Sequence, residues 1–350
     1  MTKRFFGYFI IVALLTLAIG CGKKDGDKTN ANLNQNGINT DPYSNLEKVN
    51  ITNNVTLKYI FTKDEKFSYK LTTVTNNDQS VQGDTLVKMK SNQTVSYIFD
   101  FNVLSVDKDN IADLNVVISS MKVDADINGQ KVAYDSKANN SPQVKAQFLE
   151  YETIINSPFL ININSRGEIL RVANLEKIVN KLSAAQPQGK KLTAEQKTAF
   201  SRSIAEVIKP ITQLIFKEVT EKPLAKDSSW TKQYPGSLAV FQMTNSAKYT
   251  VNDFVKINGM TAAKIMANLS VKWSGNKQGS ENGMNYNFSD PKIGGGGIIL
   301  FGVDKGKIIK SETTTNVEID VVIEAKDQSQ KTKKTTRKDI TSNKNIIELI

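Results

Sequence analysis

The sequence contains no histidine, and Cys21 is the only cysteine in its 350 residues. Without imidazole there is no Ser-His-Asp or Cys-His nucleophile, no His-ligated zinc and no side chain that ordinarily titrates near neutral pH. A lone cysteine forms no intramolecular disulfide and supplies too few thiolates for a metal site. Paired carboxylates remain as a route to hydrolysis, but no spacing singles out a pair. The expectation is therefore a protein that is not an enzyme and that carries no cofactor. Long apolar runs are also lacking. The uncharged stretch 5–20 falls short of the about 20 residues that a membrane-spanning helix needs.

What that stretch does have is the layout of a secretory signal. Lys3 and Arg4 precede it, and it closes on Leu17-Ala18-Ile19-Gly20-Cys21. Ile19, Gly20 and Cys21 resemble the bacterial lipobox, with Ala18 where leucine is usual and Leu17 one place early. The resemblance implies cleavage before Cys21 and a lipid such as palmitate on that cysteine. It further implies an exported chain held on a cell-envelope membrane of the periplasm; Gly22 rather than Asp after the cysteine favours the outer membrane over the inner, with the leaflet left open. Residues 22–42 are nearly all Gly, Lys, Asp, Asn, Gln and Thr, too polar to offset their ordering entropy by burial. The expected organisation is a signal peptide at 1–20, a flexible tether at 21–48 and one exported body at 49–350. The net charge of +11 suits anionic lipid, glycan or polymer as a neighbour, not nucleic acid.

The body reads as mainly antiparallel β with a helical centre, an α+β fold built on a curved sheet or unclosed barrel. Alternation marks strands at 55–61, 67–71, 263–273 and 317–323. In the stretch 95–127 the apolar phase runs Ala112, Leu114, Val116, Ile118 and then slips to Met121, Val123, Ala125, Ile127, which predicts a bulge or sharp bend at Ser119-Ser120. Asn128-Gly129 predicts a type I′ hairpin turn into 131–134. Helices are expected over about 174–217. Asn174 is placed to cap the first, and Thr193 with Gln196 has capping-box spacing for the second. That second helix lines up Phe200, Ile204, Val207, Ile208, Ile211 and Ile215, and Pro210 predicts a kink or an early stop. The basic tail 331–344 reads as an edge strand guarded by lysine. A faint repeat lays Val103–Ser119 over Phe254–Ser270, and 165–171 over 304–310, which suggests two related β units.

Candidate sites are few. Asp124, Asp126 and Asn128, with Gly129 and Asp135 following, resemble the oxygen ligands of a calcium loop. The flanks read as strands, so the hairpin is the preferred reading and no metal is expected. Ser119-x-x-Lys122, Ser229-x-x-Lys232 and Ser274-x-x-Lys277 match a catalytic Ser-Lys spacing but lack its companion motifs. Gly294-Gly295-Gly296-Gly297 is followed by a strand, not by the helix N-terminus that a phosphate loop needs, and reads as a flexible lead-in.

The order Leu57-Lys58-Tyr59, Pro158-Phe159, Gly167-Glu168-Ile169, Lys222-Pro223 and Asp227-Ser228-Ser229-Trp230 resembles an uncharacterised family of bacterial lipoproteins over residues 55–325. Here Asp227-Ser228 stands before Ser229-Trp230 where the family often has Gly-Asp. No activity comes with that resemblance. The body is expected to bind an apolar ligand or lipid, or alternatively to be a structural or interaction protein of the envelope with no small ligand, its membrane contact made by lipid on Cys21.

Overall fold

The computed structural model describes residues 41–184, 193–238, 241–281, 283–326 and 330–350. The expected signal peptide, Cys21 and the expected tether up to residue 40 lie outside the described residues. Strands β1 (Lys66–Gln82), β2 (Leu86–Val106), β3 (Ala112–Ile127) and β4 (Gln130–Asp135) come first. Short helices α1 (Pro142–Gln147) and α2 (Leu149–Ile154) lead to strands β5 (Phe159–Ile163) and β6 (Ile169–Ala173). Helices α3 (Glu176–Ala184) and α4 (Ala194–Ile215) form the centre. Strands β7 (Ser229–Leu238), β8 (Phe241–Ile257), β9 (Met260–Ser274), β10 (Gln278–Glu281) and β11 (Met284–Phe288) follow, then β12 (Lys292–Gly302), β13 (Lys307–Lys326) and β14 (Thr332–Leu349).

These strands make one 14-stranded antiparallel sheet in the order β6-β5-β3-β2-β1-β14-β13-β12-β9-β8-β7, with β4, β10 and β11 attached at its sides. Among the described residues β6 and β7 are not paired to each other, so the sheet is unclosed. It is nonetheless strongly rolled. The Tyr59 amide donates to the Ser165 carbonyl in the β5–β6 turn at 2.7 Å, and the next amide, Ile60, donates to Gly306 in the β12–β13 turn at 3.2 Å. Strands β5 and β13 are five places apart, which a flat sheet would hold at roughly 24 Å. Two successive residues reach both turns only because the sheet curls around them.

Glycine at these two turns is a requirement of that approach. Gly167 (φ +87°) and Gly306 (φ +58°) are left-handed, and a Cβ would strike the Tyr59 ring at the first and Ile60 at the second. Both belong to the repeated segments, and the likeness extends to geometry. The β5–β6 ladder carries an extra residue at Leu170 and the β12–β13 ladder at Ile309, which are matched positions of the repeat.

The concave side holds the main core. Phe216, just past α4, lies edge-on to Tyr59 and Phe101, both at 5.5 Å, and to Tyr69 at 6.2 Å. Such pairs add about 0.5–1.5 kcal/mol each beyond area burial. Tyr69 and Tyr59 satisfy their hydroxyls on the Ile308 and Lys217 carbonyls at 2.7 and 3.0 Å.

Several expectations hold in detail. Ile98 pairs with Ser120 and Phe99 with Ile118, so Ser119 is the bulged residue. Asn128 (φ 52°) and Gly129 (φ 83°) close the β3–β4 hairpin. Thr193 and Gln196 form the capping box of α4.

Others are corrected. Residues 55–61 alternate in burial as predicted, with Leu57 and Tyr59 inside, but only Val55 makes a β-bridge, to Leu224; the segment threads the roll without joining its ladder. The end of the expected tether packs onto the sheet. Tyr43 is buried with Val255, Ile298 and Leu300, Asp41 pairs with the buried Lys264, and the Glu47 carbonyl accepts from the Lys256 amide at 2.8 Å. The basic tail is no edge, because β14 lies between β1 and β13; Lys338 and Lys344 are tied to Glu318 and Glu312, each at 2.7 Å. Asn174 takes φ 57° before α3 and does not cap it. Of the kink or early stop expected at Pro210, the early stop is overturned, because α4 continues through Pro210 to Ile215. The α1–α2 pair leaves no signal in the sequence, each helix being six residues long, too short for a periodic stripe.

Candidate functional site

The glycine run is not a lead-in. Gly294 to Gly297 lie inside β12, all paired with β13 on one side and, from Gly295 on, with β9 on the other. A Cβ on Gly295 would strike the Thr314 carbonyl, and one on Gly297 the Glu312 carbonyl, so no larger residue fits the bent strand. Ladder neighbours share a face. One row therefore runs Thr73, Asn345, Thr313, Gly297, Ala267, Tyr249, and the next Thr75, Asn343, Thr315, Gly295, Leu269, Ala247. Where most rows project large side chains into the roll, these two carry small ones at their centre.

The result is a cavity of about 530 Å³ between this patch and the C-terminal half of α4. That volume lies within the roughly 300–1,000 Å³ of small-molecule sites. The helix side is Glu206, Lys209, Pro210, Gln213 and Leu214, followed by Phe216, Lys217 and Glu218. Pro210 has no amide to offer the Glu206 carbonyl, which leaves that carbonyl unbonded by the helix beside the cavity. Gln213 fixes the end of α4: it accepts from the Ile169 amide at 2.9 Å and donates to the Gly167 and Phe216 carbonyls at 2.8 and 2.6 Å.

The polar wall is ordered. Thr73 donates to Asn345 at 2.9 Å and Thr75 to Asn343 at 2.8 Å. Opposite them, burial first and the neighbouring Tyr249 second hold the Tyr234 hydroxyl well above the ordinary tyrosine range, and burial likewise raises Tyr249. Lys217 is half-buried on the cavity wall, and desolvation by the surrounding protein pushes it down to about 8. Glu218 is engaged by Lys232 at 3.1 Å.

The sites suggested by sequence fall elsewhere. Cys21 lies outside the described residues. Asp124 and Asp126 follow each other along β3, Asn128 is in the turn and Asp135 ends β4 opposite Lys122. Asp126, Asn128 and Asp135 accept from the amides of Gly129, Lys90 and Lys137 at 2.8, 2.7 and 2.9 Å, so their oxygens secure the hairpin instead of converging. Among the described residues no group of three such side chains is placed to hold a metal ion. Ser229 and Lys232 lie three apart on β7 and face opposite sides; Ser119 is the bulge; Lys277 is paired with Asp290. The cavity itself carries no sequence motif. Its one legible trace is the glycine run, whose small residues open space only after the register brings Ala247 and Ala267 beside them.

Fold and cavity together define an unclosed, rolled antiparallel sheet with a helix laid into its concave side. The chain belongs to the family of unknown function DUF6263, whose model matches residues 109–292. No curated protein sequence matches it. Among solved structures, one of lipid–protein interactions in lipovitellin is similar at 7% identity and a TM-score of 0.40, covering 83% of this chain and 25% of that one. This chain thus spans a quarter of that lipovitellin chain. An outer membrane channel from Pseudomonas putida F1 is similar at 7% identity and a TM-score of 0.18, covering 83% of this chain and 97% of that one. Pseudomonas aeruginosa OccK2 (OpdF), in complex with glucuronate, has 7% identity and a TM-score of 0.18, with 81% and 96% covered. Likeness at this level assigns no ligand to this chain.

Proposed function

We propose that this protein is an envelope lipoprotein, anchored through lipid on Cys21, whose body binds an apolar or amphipathic small molecule in the concave cavity and performs no chemistry on it. The cavity carries the reading: a space of about 530 Å³ lies open between the C-terminal half of α4 and a patch of the sheet whose lining includes the small residues Ala247, Ala267 and Gly296. An apolar interior surface left unfilled forfeits packing energy, which a bound ligand restores. Binding through the basic tail has less support, because Lys338 and Lys344 are occupied by carboxylates on neighbouring strands.

The experiment is displacement of a neutral fluorescent naphthylamine probe from the full chain. Ala247→Phe puts a ring into the cavity from a half-buried position and is expected to weaken the probe at least about tenfold with its melting temperature within a few degrees of wild type. Equal probe affinity in both proteins would sink the cavity as the binding site. For the anchor, metabolic labelling with a palmitate analogue is expected to mark the wild type and not Cys21→Ser, with the variant leaving the membrane fraction; a labelled or still membrane-bound variant would remove Cys21 from that role.

A further inference from the structure

The cavity holds a charge that nothing answers. Among the described residues no acceptor reaches the Lys217 ammonium group, and the other acidic and basic side chains on the lining are Glu206 and Lys209 on α4 and Glu218, which is taken by Lys232. On the sheet side Asn245 of β8 is 1% exposed, and neither its side-chain nitrogen nor its oxygen has a hydrogen-bond partner. Buried polar groups are nearly always satisfied, and leaving one unmade costs about 1–3 kcal/mol. Here a cation and a whole amide are left open on one cavity, beside apolar surface from Leu214, Phe216, Leu269 and Ile299.

We propose that the ligand is a single-chain amphiphile with one anionic head, a carboxylate or a phosphate, seated against Lys217 and Asn245 while its chain lies on the apolar wall. This rests on the cavity being the ligand site and goes further by fixing the charge and polarity of what enters. A charge-assisted hydrogen bond from an ammonium group in a low-dielectric site is roughly twice as strong as a neutral one. The Asn245 amide adds a neutral donor to the same head, a cationic head is repelled, and an uncharged head leaves Lys217 bare.

The test is isothermal titration of the full chain with laurate, dodecyl phosphate, dodecanol and dodecyltrimethylammonium. The better anion is expected to bind at least about tenfold tighter than dodecanol, the quaternary ammonium to bind weakest, and the two anions to rank carboxylate against phosphate. In Lys217→Gln that advantage falls to about twofold or less. Asn245→Leu, which removes both open amide groups, is expected to lower anion affinity by about threefold to tenfold and keeps the test alive if the first variant does not fold. A wild type that takes dodecanol as tightly as the anions, or a Lys217→Gln protein that keeps the tenfold preference, overturns the anionic head while leaving the cavity a ligand site. Heats from none of the four probes overturn both readings together.

Discussion

Lys217 is where a single side chain carries the most unbalanced electrostatics. Desolvation lowers it from 10.5 to about 8 in the folded chain. Between those values the unfolded chain binds more protons than the folded one, so stability rises with pH through that window, and below about 8 the full penalty is present. Replacing the ammonium by an apolar group of similar length removes the penalty. Lys217→Met is therefore expected to stabilise the ligand-free protein by about 1–2 kcal/mol at pH 7, after discounting for its partial exposure, with the gain shrinking as pH rises from 8 towards 10.5. Chemical denaturation at pH 7 and at pH 10 measures both parts; a variant that is less stable at pH 7 would show that Lys217 has a partner in the fold. A destabilising lysine retained beside a cavity is what a binding role predicts and what packing alone does not.

At the scale of elements, Ser119 shows how far pattern reaches. The phase slip from Ile118 to Met121 was legible because alternation has period two, and the ladder resolves it into one bulged residue. Deleting Ser119 would turn one half of β3 inside out against β2. It is expected to cost more than about 3 kcal/mol or to abolish folding, whereas Ser119→Ala, which keeps the bulge, should stay within about 0.5 kcal/mol. Thermal melts of the two variants decide, and equal behaviour would mean that the strand re-registers freely. The same reasoning explains what was not legible. Alternation at 55–61 reports which side chains are buried but not what the backbone bonds to, so a threading segment looks like a strand. Lysine content in β14 reports charge but not neighbours, and the carboxylates that balance it lie on β13, far away in sequence. The helical centre was visible because the Thr193–Gln196 capping box and a 3.6 period are local signals. The cavity was not, since it depends on Gly297 meeting Ala267 and Tyr249 across three strands.

For the whole molecule, an unclosed roll needs something to hold its curvature, and the described edges β6 and β7 do not pair with each other. The segment 57–61 is placed to do so, since Tyr59 is bound to the β5–β6 turn and Ile60 to the β12–β13 turn, while Lys307 returns from the second turn to the Ile60 carbonyl at 3.0 Å and to Glu65 at 2.6 Å. If this segment ties two distant parts of the sheet, damage at either end loosens the other. Gly167→Ala is expected to cost about 2–4 kcal/mol, from the strained φ and from pushing the Tyr59 ring out of its place among Phe216 and Phe301. Gly306→Ala is expected to cost a similar amount by displacing Ile60. Distant sites normally add within about 0.3–0.5 kcal/mol, and these two lie on separate turns. Because both act on one strap, the double variant should instead be more stable than the sum by at least about 1 kcal/mol, the strap being already displaced when the second change is made. Urea unfolding of the four proteins in the cycle measures the coupling. Strict additivity would mean that each turn stands alone and that the curvature is held by the sheet and α4 without the strap.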